Sequence, residues 1–147
     1  QFRKDLFTGP VLSLDIDIVI AKDITDEITN LPTDRLLMCK EPYKDIENSS
    51  IIYWSGDYSH LFDEYKNNQQ AIVDYYENPE NKLYDQAYIC DRTETDFVEN
   101  YFSEGTISWK HHKISTPLGD PSILIFTISE KPTNNMHLDI VKNNWID

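Results

Sequence analysis

Val11-Leu-Ser-Leu-Asp-Ile-Asp-Ile-Val-Ile20 is the stretch on which the reading of this chain turns. Two carboxylates, Asp15 and Asp17, stand inside an apolar, β-branched run. Such a run reads as a buried strand of a sheet covered on both faces, strand-like over Val11–Leu14 and Ile16–Ile20 with the acids at the junction. Buried carboxylates are costly unless they are paired or bound to metal. Two of them spaced i, i+2 at the end of a buried strand can converge on one hard cation. The other reading of the same residues is a strand that ends at Asp15, with Asp17 capping a turn. D-x-D is a short pattern, and the spacing leaves both open.

The rest of the chain alternates strands and helices. Asp23-Ile-Thr-Asp-Glu-Ile offers an N-cap and a short helix with acids in its first turn, stopped by Leu31-Pro32. Arg35–Lys40 and Ser49–Ser55 read as strands, the second followed by a Gly56-Asp57 turn. From Tyr58 to Glu77 apolar residues recur at three- and four-residue intervals, as two helices broken near Asn67-Asn68. Leu83–Cys90 is a further short helix, and Thr106–Trp109 and Ile123–Thr127 are strands. A closing helix puts Leu138, Val141 and Trp145 on one face. The class is therefore α/β, with a mixed sheet rather than a purely parallel one. The 147 residues form one domain in this reading.

Composition narrows the field. Hydrophobic residues make up 39% and aromatics 12%, which excludes a disordered chain. No apolar run approaches a membrane span. The formal net charge of −13 repels nucleic-acid phosphates, and no basic stripe offsets it. Cys39 and Cys90 fit no metal-ligand spacing and read as buried free thiols, which points to a reducing, cytoplasmic setting. His111-His112 is not a metal pair if it lies on a strand, because adjacent strand residues point to opposite faces.

Four segments, in order, carry a resemblance. They are Leu12-Ser-Leu-Asp-Ile-Asp-Ile-Val-Ile20, Glu47-Asn-Ser-Ser-Ile-Ile-Tyr-Trp54, Tyr84-Asp-Gln-Ala-Tyr-Ile89 and Ile125-Phe-Thr-Ile-Ser-Glu-Lys-Pro132. They resemble the Asp-x-Asp strand, the Asn-Ser strand, the Asp-Gln helix start and the Lys-Pro segment of nucleotide-sugar glycosyltransferases with the Rossmann-like GT-A fold. The glycogenin-like and lipopolysaccharide galactosyltransferase type is the nearest in pattern. The resemblance implies transfer of a sugar from a nucleotide-sugar donor, a UDP-sugar in the first place, to a saccharide or glycoconjugate acceptor. Asp15 and Asp17 would hold Mn²⁺ or Mg²⁺, Lys131 would contact the diphosphate, Asp85 and Gln86 would line the sugar and acceptor side, and Asn48 would shape the sugar pocket.

The pattern departs from the family in two places. Thr127-Ile128 stands where the family has His-Gly, so the usual third metal ligand is absent or supplied otherwise. The family's base- and ribose-binding strands come before the Asp-x-Asp strand, and only a short stretch precedes Asp15 here. The resemblance thus covers the later part of that fold, with its leading strands missing. The expected consequence is an open sheet edge near Val11–Leu14, self-association and poor transfer. The alternative function is a degenerate, non-catalytic carbohydrate-binding or interaction domain.

Overall fold

The computed structural model describes residues 1–78, 84–110, 119–126 and 130–145. In chain order its elements are β1 (Val11–Leu14), β2 (Ile18–Ile20), α1 (Thr25–Thr29), β3 (Leu36–Lys40), β4 (Glu47–Trp54), α2 (Ser59–Tyr76), α3 (Tyr84–Cys90), β5 (Thr95–Phe97), β6 (Ile107–Lys110), β7 (Ile123–Phe126) and α4 (Asp139–Asn144). Single 3₁₀ turns occupy Val98–Asn100 and Pro132–Asn135. The chain is a mixed α/β protein that divides into two compact units, Gln1–Ser13 with Pro32–Val98, and Leu14–Leu31 with Glu99–Asp147. Among the described residues no helix is long and apolar enough to cross a membrane.

The first unit is built on a four-stranded sheet in the order β1-β4-β3-β5. β3 pairs antiparallel with β4 and parallel with β5, so the sheet is mixed. Leu36 to Cys39 are all fully buried, as a central strand with both faces covered requires. The period-2 alternation sends Leu36 and Met38 of β3, and Ile52 and Trp54 of β4, into one cluster with Leu61, Ile72 and Tyr76 of α2 and Tyr88 and Ile89 of α3. Burying each large aliphatic side chain here contributes about 1.5–3 kcal/mol. Among the described residues β4 is the one strand beside β1, which puts β1 at the edge.

α2 begins where Asp57 Oδ1 accepts the Ser59 N–H at 2.9 Å. It kinks at Asn68, whose backbone leaves the helical region (φ −130°, ψ 26°). The Asn68 side chain donates to the Glu64 carbonyl at 3.3 Å and so competes with the backbone ladder. This is the break expected near Asn67-Asn68.

The second unit holds a three-stranded sheet in the order β2-β7-β6. β7 runs antiparallel to β2 and parallel to β6, and all four of its residues, Ile123 to Phe126, are buried. α4 places Val141 against Val19, Leu124 and Phe126, with Leu138, Ile140 and Trp145 packed around them. That is the apolar face expected of the closing helix.

The opening stretch corrects the expectation of one buried strand. Val11–Leu14 and Ile18–Ile20 are separate strands in different sheets, and Asp15, Ile16 and Asp17 form the turn that joins them. β1 is only half-buried, and Ile16 is 93% exposed. The strand stops before the first acid, and the acids stand at the junction of two strands, but the Asp17 carboxylate binds Lys131 rather than capping the turn. The physical reason is local: Asp15 and Ile16 are exposed at the turn between the strands, and a solvated turn takes a carboxylate at little cost.

Candidate functional site

In the second unit, the Asp15–Asp17 turn sits at the start of β2. The Phe126 N–H donates to the Asp17 carbonyl at 3.2 Å, which extends the β2–β7 pairing by one step and puts Asp17 beside the end of β7. After β7 the chain returns with Lys131 in an extended conformation. Lys131 Nζ then donates to Asp17 Oδ2. Two segments that are 114 residues apart in sequence thus meet through a charge-assisted bond. Asp17 is the more enclosed partner, its side chain 17% exposed against 49% for Lys131.

Lys131 is fixed from behind by Asn135. That residue is buried, and its amide donates to Glu130 Oε2 and to the Lys131 carbonyl, both at 2.9 Å. Pro132 opens the intervening 3₁₀ turn, where its missing N–H is not needed. The sequence reading did not single out Asn135. The signal present was the spacing, a carboxamide four residues after Lys131 across a Pro-initiated turn, and it is a weak one.

In the first unit, Asn48 lies on β4 and Asp85 in the first turn of α3. They are linked through a residue the sequence reading did not select: Ser49 Oγ donates to Asp85 Oδ1 at 3.2 Å. Asn48 works locally. Its Nδ2 donates to Glu41 Oε2 at 2.8 Å, and its Oδ1 accepts the Ser50 N–H at 2.8 Å. Gln86 is half-buried on the same helix as Asp85. Tyr84, directly before Asp85, has φ 51°, a left-handed conformation rare for a non-glycine residue and costly by about 1–3 kcal/mol.

The structure therefore brings Asp17 and Lys131 together in one unit, with Asp15 on the same turn. It brings the Asn48–Ser49 segment and Asp85 together in the other. Thr127, Ile128, His111 and His112 lie outside the described residues. Among the described residues no group of three His, Cys, Asp or Glu side chains is placed to hold a metal. Both cysteines are free thiols, Cys39 buried and Cys90 half-buried. Burial, with Glu47 nearby, pushes the Cys90 thiol up to about 11.

Compared with protein-family models, with curated proteins and with solved structures, the chain finds no match.

Proposed function

We propose that this chain belongs functionally with the metal-dependent glycosyltransferases of the GT-A type, and that Asp15, Asp17 and Lys131 serve the diphosphate of a nucleotide-sugar donor. The observation that carries this reading is the Lys131–Asp17 contact. The resemblance matched the two segments separately and assigned both to the same diphosphate. Their meeting in space is what that assignment requires.

The donor set suits a hard divalent cation such as Mn²⁺ or Mg²⁺. Two carboxylate groups at one turn supply oxygen ligands, and phosphate oxygens of the donor would add more. The Lys131 ammonium is a compensating cation at Asp17. When bound, the metal supplies Lewis-acid stabilisation of the departing nucleoside diphosphate. Lys131 would contact phosphate oxygen of the donor as a point charge. On the sugar and acceptor side the resemblance assigns Asp85, Gln86 and Asn48. Within the first unit, the Ser49 hydroxyl holds Asp85 Oδ1.

A second reading, a non-catalytic carbohydrate-binding or interaction domain, is favoured by the same ion pair seen from the other side. Asp17 is neutralised within the chain and does not need a metal to be stable. Calorimetric titration with a panel of sugar nucleotides, with and without Mn²⁺, tests the proposal, followed by assay of nucleoside diphosphate release. Mn²⁺-dependent binding that weakens in Asp17→Asn supports the diphosphate site. Release of the diphosphate selects the transferase; binding without release selects the second reading. A parent chain that binds no sugar nucleotide under either condition refutes the diphosphate role of this cluster, and titration with free saccharides then tests the second reading.

A further inference from the structure

We infer that Cys39 is the positioning residue that shapes the β4 bulge and through it sets Ser49 against Asp85. The inference deepens the glycosyltransferase reading and rests on it only for the role of Asp85. β3 and β4 pair in regular register from Leu36↔Trp54 to Met38↔Ile52, and the next pair is Cys39↔Asn48. Ser49, Ser50 and Ile51 are therefore left without partners on β3, a wide irregularity in the middle of the pair. Such bulges re-aim side chains and are common beside active sites.

Extra residues in a buried strand leave backbone groups that must be satisfied. Here two side chains satisfy the Ser50 and Ile51 N–H groups and the Asn48 carbonyl. The Ile51 N–H donates to Cys39 Sγ at 3.3 Å, and the same thiol donates to the Asn48 carbonyl at 3.2 Å, so one atom bridges both ends of the bulge. Asn48 Oδ1 takes the Ser50 N–H at 2.8 Å, and Glu41 holds the Asn48 amide. Ser49, at the crest, is delivered to Asp85 Oδ1. Cys39 is fully buried and Ile51 beside it is fully buried, so water does not replace the thiol. Sulfur suits the place because its long bonds and diffuse lone pairs reach two backbone groups that a methyl or hydroxymethyl group spans poorly.

The experiment is nuclear magnetic resonance on the isotope-labelled full chain, comparing Cys39→Ala and Cys39→Ser with the control Met38→Leu, which repacks the neighbouring buried position. Cys39→Ala is expected to move the Ser50 and Ile51 amide signals and the Asp85 carboxyl-carbon signal, and to speed Ile51 amide exchange about tenfold, the scale of one lost hydrogen bond. Cys39→Ser, which keeps a donor and an acceptor, is expected to move them less. Met38→Leu, on the face that packs against α3, is expected to move the Asp85 signal less than Cys39→Ala does. An unmoved Asp85 signal in Cys39→Ala, or an equal movement in Met38→Leu, overturns the positioning role.

Should Cys39→Ala fail to fold, the unsubstituted chain decides: fast exchange at the Ile51 amide overturns the thiol bond, and strong protection supports it. Titration of each variant with UDP-glucose and Mn²⁺ separates the two levels. Movement of Asp85 in a chain that binds neither UDP-glucose nor any other sugar nucleotide of the panel upholds the role of Cys39 and removes the glycosyltransferase reading. Weaker binding in Cys39→Ala, partly restored in Cys39→Ser, upholds both.

Discussion

Lys131 Nζ donates to Asp17 Oδ2, closing the Lys-Pro segment onto the Asp-x-Asp turn. Half-exposed ion pairs of this kind contribute about 0–1 kcal/mol, so the pair is a poor stabiliser. Lys131→Ala is therefore expected to lower stability by no more than about 1 kcal/mol. It should also tighten Mn²⁺ binding in the absence of nucleotide, because a competing cation is gone, and weaken binding of a nucleoside diphosphate. Denaturant midpoints and calorimetry read all three. A large loss of stability with unchanged diphosphate affinity would show that the lysine is structural.

Asn135 predicts a contrasting pattern. Its amide is buried and bonded to both Glu130 and the Lys131 carbonyl. Asn135→Ala removes both of these bonds from a buried position, while the Lys131 carbonyl keeps the Asn134 N–H, and the expected cost is about 1–3 kcal/mol. The loosened segment should then weaken diphosphate binding in the same direction as Lys131→Ala. Stability and affinity that both stay at the parent values would remove Asn135 from the account.

The expected elements and the observed ones agree where periodicity and breakers speak together. The Asn68 kink is an example, since a side chain able to bond the backbone four residues back interrupts a helical pattern. The α4 face is another, because Leu138, Val141 and Trp145 follow the helical repeat. The Val11–Ile20 run misled because apolar content does not say which sheet a residue joins. Leu14 and Ile18 read alike, yet they belong to different sheets, and the exposed Ile16 between them is apolar too. β5 was missed because Thr95-Asp96-Phe97 is too short and too polar to read as a strand; its pairing with β3 comes from tertiary context. At the candidate sites, residue types with obvious chemistry were legible. Ser49, Asn135 and Cys39 were not, since each acts by holding another residue, and that depends on a bulge or turn that no local pattern announces.

Tyr76 offers a test of the seam between α2 and α3. Its hydroxyl donates to Asp91 Oδ2 at 2.6 Å and accepts from Arg92 Nη1 at 2.6 Å. Arg92 also lies over the Tyr88 ring, 4.3 Å from its centroid, and its Nε stands 2.9 Å from Glu64 Oε2. Tyr76→Phe keeps the ring packing and removes both hydroxyl bonds, at an expected cost of about 1–3 kcal/mol. A double-mutant cycle with Arg92→Lys should show coupling, because the two side chains share one network. Strict additivity in denaturant unfolding would mean the hydroxyl and the guanidinium act independently.

Alkaline pH should destabilise the fold, and the direction follows from which state keeps its protons. Burial raises the Cys90 thiol from its ordinary value of 9.0 to about 11, and burial also raises the Tyr53, Tyr58, Tyr76 and Tyr88 hydroxyls above their ordinary value of 10.0. In each case the folded chain holds the proton at a pH where the unfolded chain has released it. The unfolded state is then favoured progressively, so stability falls as pH rises above 9.0 and goes on falling through about 11 as the tyrosines join. Well below 9.0 the Cys90 thiol is almost wholly protonated in both states and its contribution to the slope dies away. Denaturant midpoints across this range are the measurement, with Cys90→Ser to remove the earliest part of the decline. At about pH 8 the folded chain should also alkylate at Cys90 far more slowly than the unfolded chain, since the thiolate is the reactive form. A midpoint that stays level from neutral pH to 11, or equal alkylation of the folded and unfolded chains, would show that Cys90 does not feel the burial the structure gives it.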